Sequence, residues 1–168
     1  MAELTCNTNA LQPTQFKVTI DRVNYPNLQF FAQQVSHPGM GLPNTDTPIP
    51  RLQSLAFAGD ALTFGELSMI ILLDEDMQSY QEMYNWMTRL VQTNYVPASK
   101  RDNTAEVVPD HSDITVSILT SKNNKNLNIR YKDCVPTSVG DIQFEATQDA
   151  STYLNFPVSF KFNYFVFD

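Results

Sequence analysis

Residues 155–167 read NFPVSFKFNYFVF, and this stretch decides the fold. Apolar side chains stand at every second position, which is typical of a β-strand with one buried face. The alternating set is Phe156, Val158, Phe160, Phe162, Tyr164 and Val166. Near Phe165 and Phe167 the second face is apolar too, so we expect both faces to contact protein there. Such a strand must belong to a sheet. A strand with two apolar faces favours a chain that assembles with other chains over one that catalyses a reaction.

Length and composition limit the alternatives. With 168 residues the chain suits one domain, and we expect residues 14–168 to form it, preceded by a polar N-terminal arm at residues 1–13. A net charge of −7 argues against a sequence-independent grip on nucleic acid, because such a grip neutralises phosphates with Lys and Arg. Cys6 and Cys134 are far apart in sequence, and we interpret both as reduced thiols.

The start of the sequence has no charged and apolar leader, and the longest apolar run, near residues 69–73, is far too short to span a bilayer. We therefore expect a soluble protein without a membrane anchor, made in a cytoplasm.

Alternating or apolar segments elsewhere predict further strands. In the first half of the chain they cover residues 16–20, 28–35, 52–57 and 67–73, and the first two are expected to form a hairpin. In the second half they cover residues 113–119, 127–131 and 142–146, with a hairpin between the first two, and the chain passes through residues 135–141 into the third. Residues 36–50 hold several prolines and glycines and predict a long projecting loop.

One helix is predicted after Leu73. Asp74, Glu75 and Asp76 place carboxylates where the first helical amides lack partners. The apolar stripe beyond them consists of Met77, Tyr80, Met83, Tyr84, Met87, Leu90 and Val91. Trp86 lies at the margin of this stripe, and two interpretations stay open for it: an anchor for a neighbouring chain or a partly covered core edge. A polar connection follows, from about Gln92 to Pro109.

The sequence offers little to a catalytic interpretation. His37 precedes a proline in a turn, and His111 lies between Asp110 and Asp113, a group that a metal-dependent module or an enzyme would have to use. Local bonding of these side chains to loop amides is the simpler interpretation. Because no phosphate-loop, nucleophile or zinc motif occurs, we expect no enzyme activity, no catalytic residues, no cofactor and no metal.

Three blocks of sequence carry a resemblance to a known family. They are Ala58-Gly59-Asp60 with the following 62–67 segment, residues 73–87, and residues 136–142, followed by the aromatic closing strand. In this order and spacing they resemble the tail tube proteins of contractile-tailed bacteriophages, including the tube-initiating proteins of the baseplate. The resemblance spans residues 15–168, and the polar segment 92–110 departs from it.

The resemblance implies a mainly β fold with one α-helix, an antiparallel β-sandwich whose sheets join six-fold into an inner β-barrel. It further implies a structural protein of the virion tail, in hexameric rings stacked into a conduit inside a contractile sheath. Its partners would be other copies of itself, the sheath protein and the baseplate hub or tube initiator, while viral DNA passes through the lumen without specific binding.

Two alternatives stay open within this architecture: the tube initiator of the baseplate, which forms a single ring, and the inner-tube protein of a bacterial contractile injection system, which carries effectors instead of DNA. We assign stacking contacts to the loop 36–50 and the arm 1–13 as a hypothesis. The acidic balance suits a lumen that repels phosphate, although alternation alone does not tell which sheet face looks inward.

Overall fold

The computed structural model describes residues 10–47, 55–95, 109–147 and 152–168. The strands in these ranges are β1 Phe16–Thr19, β2 Ala32–Ser36, β3 Met40–Gly41, β4 Asn44–Thr47, β5 Leu55–Ala58, β6 Thr63–Phe64, β7 Leu67–Leu72, β8 Ser112–Leu119, β9 Lys125–Val139, β10 Asn155–Lys161 and β11 Tyr164–Phe167. The helices there are α1 Pro26–Phe30 and α2 Gln78–Tyr95. The fold is mainly antiparallel β with little helix, as the sequence predicts.

Seven of these strands form two sheets that share β9, and β3 to β6 pair separately as β3 with β6 and β4 with β5. Sheet 1 has the order β1-β8-β9-β11, and sheet 2 has the order β9-β10-β7-β2. Both sheets and α2 contribute to one core. Its fully buried members include Leu67, Met69, Ile71, Met83, Trp86, Ile114, Tyr131, Phe156 and Phe160. The shared strand therefore holds two layers of the domain together.

The predicted terminal strand is confirmed, with one interruption. Phe160 in β10 pairs with Pro136, and Tyr164 in β11 pairs with Lys132, so β10 and β11 follow each other along β9. The buried side changes at the interruption, residues 162–163. Phe160 is fully buried, whereas Tyr164 is 51% exposed. The single alternation predicted over the whole stretch is wrong beyond Phe162, and the second apolar face belongs to β11, where Phe165 packs against the core.

The side of the strand that faces the core also changes within β9, and we call such a switch a change of phase. Tyr131 and Cys134 are both fully buried although they stand three positions apart, which in a regular strand would place them on opposite faces. Between them Asp133 has a φ of 55°, in the left-handed region. Asn163 Nδ2 donates to Asp133 Oδ2 at 2.9 Å, and the Asp133 backbone N–H donates to Asp113 Oδ1 at 3.3 Å. These bonds fix both changes of phase at the same level of the sheet.

Two expectations in this region are wrong. β9 continues to Val139, whereas the sequence predicts a strand that ends at Tyr131, and residues 142–146 form no strand. The extra length of β9 has a physical reason, because its second half pairs with β10 after its first half has paired with β8.

The predicted hairpin of residues 16–20 with 28–35 is also wrong. β1 pairs with β8 and β2 with β7, at opposite ends of the strand order. Leu28 lies in α1, which begins at a proline suited to the first helical turn. Glu82 of α2 accepts hydrogen bonds from the backbone N–H groups of Asn27 and Leu28, at 3.2 and 3.0 Å to Oε2, so the second helix caps the first.

The predicted main helix is present, but its buried stripe is rotated. Ser79, Met83 and Trp86 are fully buried, while Tyr84 and Val91 are 60% and 59% exposed. The indole of Trp86 stacks on Tyr25 at 4.3 Å between ring centroids, and its Nε1 donates to the backbone oxygen of Asp110 at 3.0 Å. Trp86 is thus a core residue within this chain and is not available as an exposed anchor.

Asp74 supplies the cap of α2. Its carboxylate accepts hydrogen bonds from the backbone N–H groups of Gln78 and Ser79, at 2.8 and 2.9 Å, and from Ser79 Oγ at 2.6 Å. Burial raises the pKa of Asp74, but the bonds from Ser79 and Gln78 outweigh it, so the pKa lies below its usual value.

The left-handed backbone at Asp133 generates a first prediction. We expect Asp133→Val to lower the free energy of unfolding by about 2 kcal/mol, because a β-branched residue is strained at positive φ. Asp133→Gly keeps the backbone geometry and loses only the carboxylate bonds, so it should cost about 1 kcal/mol. Urea unfolding measures both, and equal losses in the two variants would refute the role assigned to the backbone conformation.

The cap of α2 generates a second prediction. Asp74→Ala should destabilise the protein by about 1 kcal/mol at neutral pH. Because the pKa is lower in the folded state, the stabilisation is present above the unfolded pKa and is lost as pH falls through the folded pKa. The difference between wild type and variant should therefore shrink below about pH 4 in urea titrations. Glu75→Ala, which removes an exposed carboxylate, serves as the control, and a pH-independent difference would contradict the assignment.

Candidate assembly surface

The residues that a catalytic or metal-dependent interpretation would use are engaged in structural contacts. The Asp113 carboxylate pairs with Lys132, and His111 Nε2 lies 3.6 Å from Asp133 Oδ1. Asp110 contributes its backbone oxygen to Trp86. Within the described ranges, no group of three or more His, Cys, Asp or Glu side chains is placed to hold a metal ion.

His37 joins the start of the 36–50 segment to sheet 1. Its Nδ1 lies 2.6 Å from the hydroxyl oxygen of Tyr131, and its ring meets Phe165 edge to face at 5.1 Å. Burial raises the pKa of the Tyr131 phenol, so this group stays protonated and remains a hydrogen-bonding partner of His37. The geometry makes His37 an anchor for the chain leaving β2.

Cys134 lies in the core and is unsuited to nucleophilic chemistry. The side chain is fully buried and free of a disulfide. Burial raises the pKa of its thiol to about 12, so the thiolate is scarce at neutral pH. The interpretation as a reduced thiol is consistent with this environment, and Cys6 lies outside the described residues.

Residues 36–47, expected to form a loop, belong to a two-stranded β-ribbon. β3 pairs with β6 and β4 pairs with β5, and both ladders extend the pairing of β2 with β7. Gly65 N–H donates to Gly39 O at 3.0 Å, and Gly59 N–H donates to Pro43 O at 2.7 Å, which continues the ribbon between the ladders. A side chain at position 59 would collide with Pro43, which explains one glycine of the resembling blocks.

The ribbon carries exposed apolar side chains. Met40, Leu42 and Leu62 are 61%, 52% and 59% exposed. Residues 48–54, the remainder of the predicted loop together with its continuation, lie outside the described part of the chain. Exposed apolar groups on an extended ribbon are typical of a surface that another protein covers.

No strand of the described ranges pairs with the outer edge of β1 or of β11 in sheet 1. Asp168 exchanges both backbone hydrogen bonds with Asn128, at 2.9 and 3.0 Å, so alternation directs the N–H groups of Phe165 and Phe167 away from β9. At the other edge Leu119 N–H donates to Gln15 O at 3.0 Å, and the same alternation directs the backbone of Phe16 and Val18 away from β8. Such edges are templates for pairing with a further strand.

An open groove runs along the β1 edge. It measures about 620 Å³ and lies between β1 and β2, with Phe16, Val18, Gln29, Phe30 and Ala32 among its lining residues. Phe30 is 80% exposed on its rim. Across sheet 1, the β11 edge presents Val166 and Phe167, which are 41% and 56% exposed.

The outward face of sheet 1 is polar. Its registers place Thr19, Thr115, Arg130 and Val166 in one row across the four strands, and Lys17, Ser117, Asn128 and Asp168 in the next. Ser117 Oγ donates to Asn128 Oδ1 at 2.8 Å, and Arg130 Nη2 lies 2.9 Å from Asp168 Oδ2. The opposite face of the same strands carries the core residues. The alternation in the sequence predicts two faces, and the structure shows which of them is buried.

No helix in the described ranges has the length and apolar character needed to cross a bilayer.

Comparison with known proteins identifies relatives of this architecture, although no family model matches the sequence. The tail tube terminator protein of Enterobacteria phage T4 is 28% identical over 165 residues, which cover 94% of this chain and 88% of that protein.

Solved structures of contractile systems share the fold. A chain of the anti-feeding prophage tube-terminating cap has a TM-score of 0.65 at 13% identity, covering 99% of this chain and 95% of its own. A chain of the PVC extracellular contractile injection system sheath/tube terminator has a TM-score of 0.61 at 12% identity, covering 95% and 97%. A chain of the anti-feeding prophage baseplate has a TM-score of 0.65 at 10% identity, covering 96% of both chains. The resemblance to tail tube proteins drawn from the sequence is confirmed.

Proposed function

We propose that this chain is a structural protein of a contractile phage tail and that it forms the ring which ends the tail tube. The observation that carries this proposal is the 28% identity to the T4 tail tube terminator over nearly the whole of both proteins. The shared fold with the terminators of two injection systems supports it. The sequence alone favoured a tube subunit, which has the same architecture, and the terminator is the more specific assignment.

The geometry of sheet 1 supports assembly into a closed ring. The sheet has four strands, each antiparallel to its neighbour. Because four is an even number, β11 of one copy runs antiparallel to β1 of the next, and the alternation continues around the ring without a fault. A head-to-tail contact of this kind forms a closed ring when the rotation from one copy to the next is a whole fraction of a full turn. Closure removes both open edges of every copy at once.

The two edges also match in chemistry. The β11 edge offers unpaired N–H groups and the exposed side chains of Val166 and Phe167. The groove beside β1 offers the unpaired backbone of Phe16 and Val18 and an apolar rim at Phe30. We therefore assign the groove to β11 of the adjacent copy. Six copies, as in the tail tube family, would give a barrel whose inner wall is the polar face of sheet 1.

The ribbon formed by β3 to β6 is assigned to contacts outside the ring. Its exposed Met40, Leu42 and Leu62 suit burial against the last ring of the tube. The N-terminal arm, residues 1–13, is assigned to the same stacking contacts. The sheath remains the expected larger partner, whereas the baseplate hub or initiator would be a partner only of a tube subunit or of an initiator; viral DNA is the expected cargo of the lumen. The protein would be made in the host cytoplasm and reside in the virion tail.

Location and copy number in purified particles test the terminator assignment. Antibody-gold labelling should mark one end of the tail tube, and quantitative mass spectrometry should find about one ring of copies per particle. Labelling along the whole tube would indicate a tube subunit instead, and labelling at the baseplate end would indicate an initiator. Absence from the particle would refute a structural role in the virion.

The β11 edge generates a prediction about the ring itself. Phe167→Pro removes an N–H that points away from β9, so the β9 ladder should survive while pairing with the next copy is blocked. Phe167→Ala, which keeps the N–H, is the matched control. Negative-stain electron microscopy should show rings for wild type and for the alanine variant, and monomers for the proline variant with an unchanged circular dichroism spectrum. Rings formed by the proline variant would refute the assigned junction.

A further inference from the structure

The polar face of sheet 1 carries cationic side chains, which would bind the phosphates of DNA passing along it. Arg130 and Lys132 alternate along β9, and Lys17 lies on the same face of β1. Lys and Arg side chains at the wall of a lumen bind phosphate and release counterions, and a ring multiplies each contact by its copy number. Left unpaired, these residues would hold passing DNA.

Two of the three cations are paired with carboxylates from neighbouring strands. Arg130 Nη2 lies 2.9 Å from Asp168 Oδ2, which follows β11, and Lys132 Nζ pairs with Asp113 of β8. The side chains of these pairs are 30 to 44% exposed, so solvent and solutes reach them. Lys17 has no ion pair within the described part of the chain.

The carboxylates are themselves held in place. Asp168 is fixed by both backbone hydrogen bonds to Asn128, one row away from Arg130. Asp113 Oδ1 accepts the backbone N–H of Asp133 at 3.3 Å, which leaves Oδ2 directed at Lys132. Each acid is therefore positioned by backbone contacts and does not depend on the cation for its orientation.

We propose that Asp113 and Asp168 act as masking residues, which occupy Lys132 and Arg130 and so keep the face of sheet 1 from gripping the phosphates of double-stranded DNA. This inference rests on the proposed function, because it takes that face as the wall of the lumen. Masking brings the rows close to neutral, because Lys17 is then the one cation of this face without an ion pair in the described part of the chain. The other positions of the two rows hold Thr19, Thr115, Ser117, Asn128 and Val166. A neutral wall gives DNA few fixed charges to bind and avoids the mutual repulsion of many acids around one ring.

Binding of a fluorescent DNA duplex to the purified protein tests the masking. Asp113→Asn/Asp168→Asn keeps the size of both side chains and frees both cations. We expect this double variant to bind DNA about tenfold or more tightly than wild type at low salt, near 50 mM NaCl. The slope of log affinity against log salt should steepen by about 2 for each engaged copy, and the gain should fall sharply by 200 mM.

A matched control separates masking from net charge. Glu66→Gln/Asp141→Asn makes the same change in net charge away from this face, and it frees Lys161, whose Nζ lies 3.9 Å from Glu66 Oε1. The control should bind DNA no better than wild type. Adding Arg130→Ala and Lys132→Ala to the masking variant should abolish its gain.

Three results would overturn the proposal: no gain in the masking variant, an equal gain in the control, or a gain that persists without Arg130 and Lys132. If the double variant folds poorly, the single variant Asp168→Asn provides the test, because it keeps the contact of Asp113 with β9. We expect it to steepen the slope of log affinity against log salt by about half as much as the double variant. The position of the protein in particles is measured separately, so failure of the terminator assignment is distinguishable from failure of the masking.

Discussion

The structure depends on a change of phase that two adjacent strands make together. A β-strand buries every second side chain, so a strand that serves two sheets must exchange its buried side where it leaves one for the other. In β9 the exchange occurs at Asp133, which has a positive φ and lies where β9 has one residue more than β8 between two paired positions. Along β10 and β11 the exchange occurs at Phe162 and Asn163. The amide of Asn163 joins the two sites directly. Without both changes, either the Phe160 side or the Phe165 side of the strand would face solvent.

The same exchange determines which face of sheet 1 is free. It turns Phe165 and Tyr131 towards His37 and the base of the ribbon, with ring centroids 5.1 Å and 6.0 Å from His37. The polar residues Arg130 and Asn128 are turned outward as a consequence. Core packing, ribbon attachment and the chemistry of the outward face therefore have a common origin in the path of β9.

Periodicity in the sequence predicted most strands, because alternation is a local property that survives folding. It could not predict the change of phase, since a left-handed aspartate has no signature in a single sequence. The helical stripe that includes Tyr84 and Val91 puts Trp86 at its margin, yet the stacking partner of Trp86, Tyr25, lies 61 positions away in sequence. Pro38 and Pro43 suggested a loop over residues 36–50, but they lie between short strands of a ribbon, where a missing N–H costs little. The open edges likewise became visible only from the pairing of distant strands.

The position of β11 in the sequence has a consequence for synthesis on the ribosome. β1 finds its partner β8 only after about a hundred further residues have been made, and β11 follows all other described strands. Contacts of such long range form slowly and late. A growing chain therefore exposes neither completed edge of sheet 1, and two chains under translation on one message have no matching surfaces to join. The order of synthesis thus keeps both open edges of sheet 1 incomplete until the last described strand has been made.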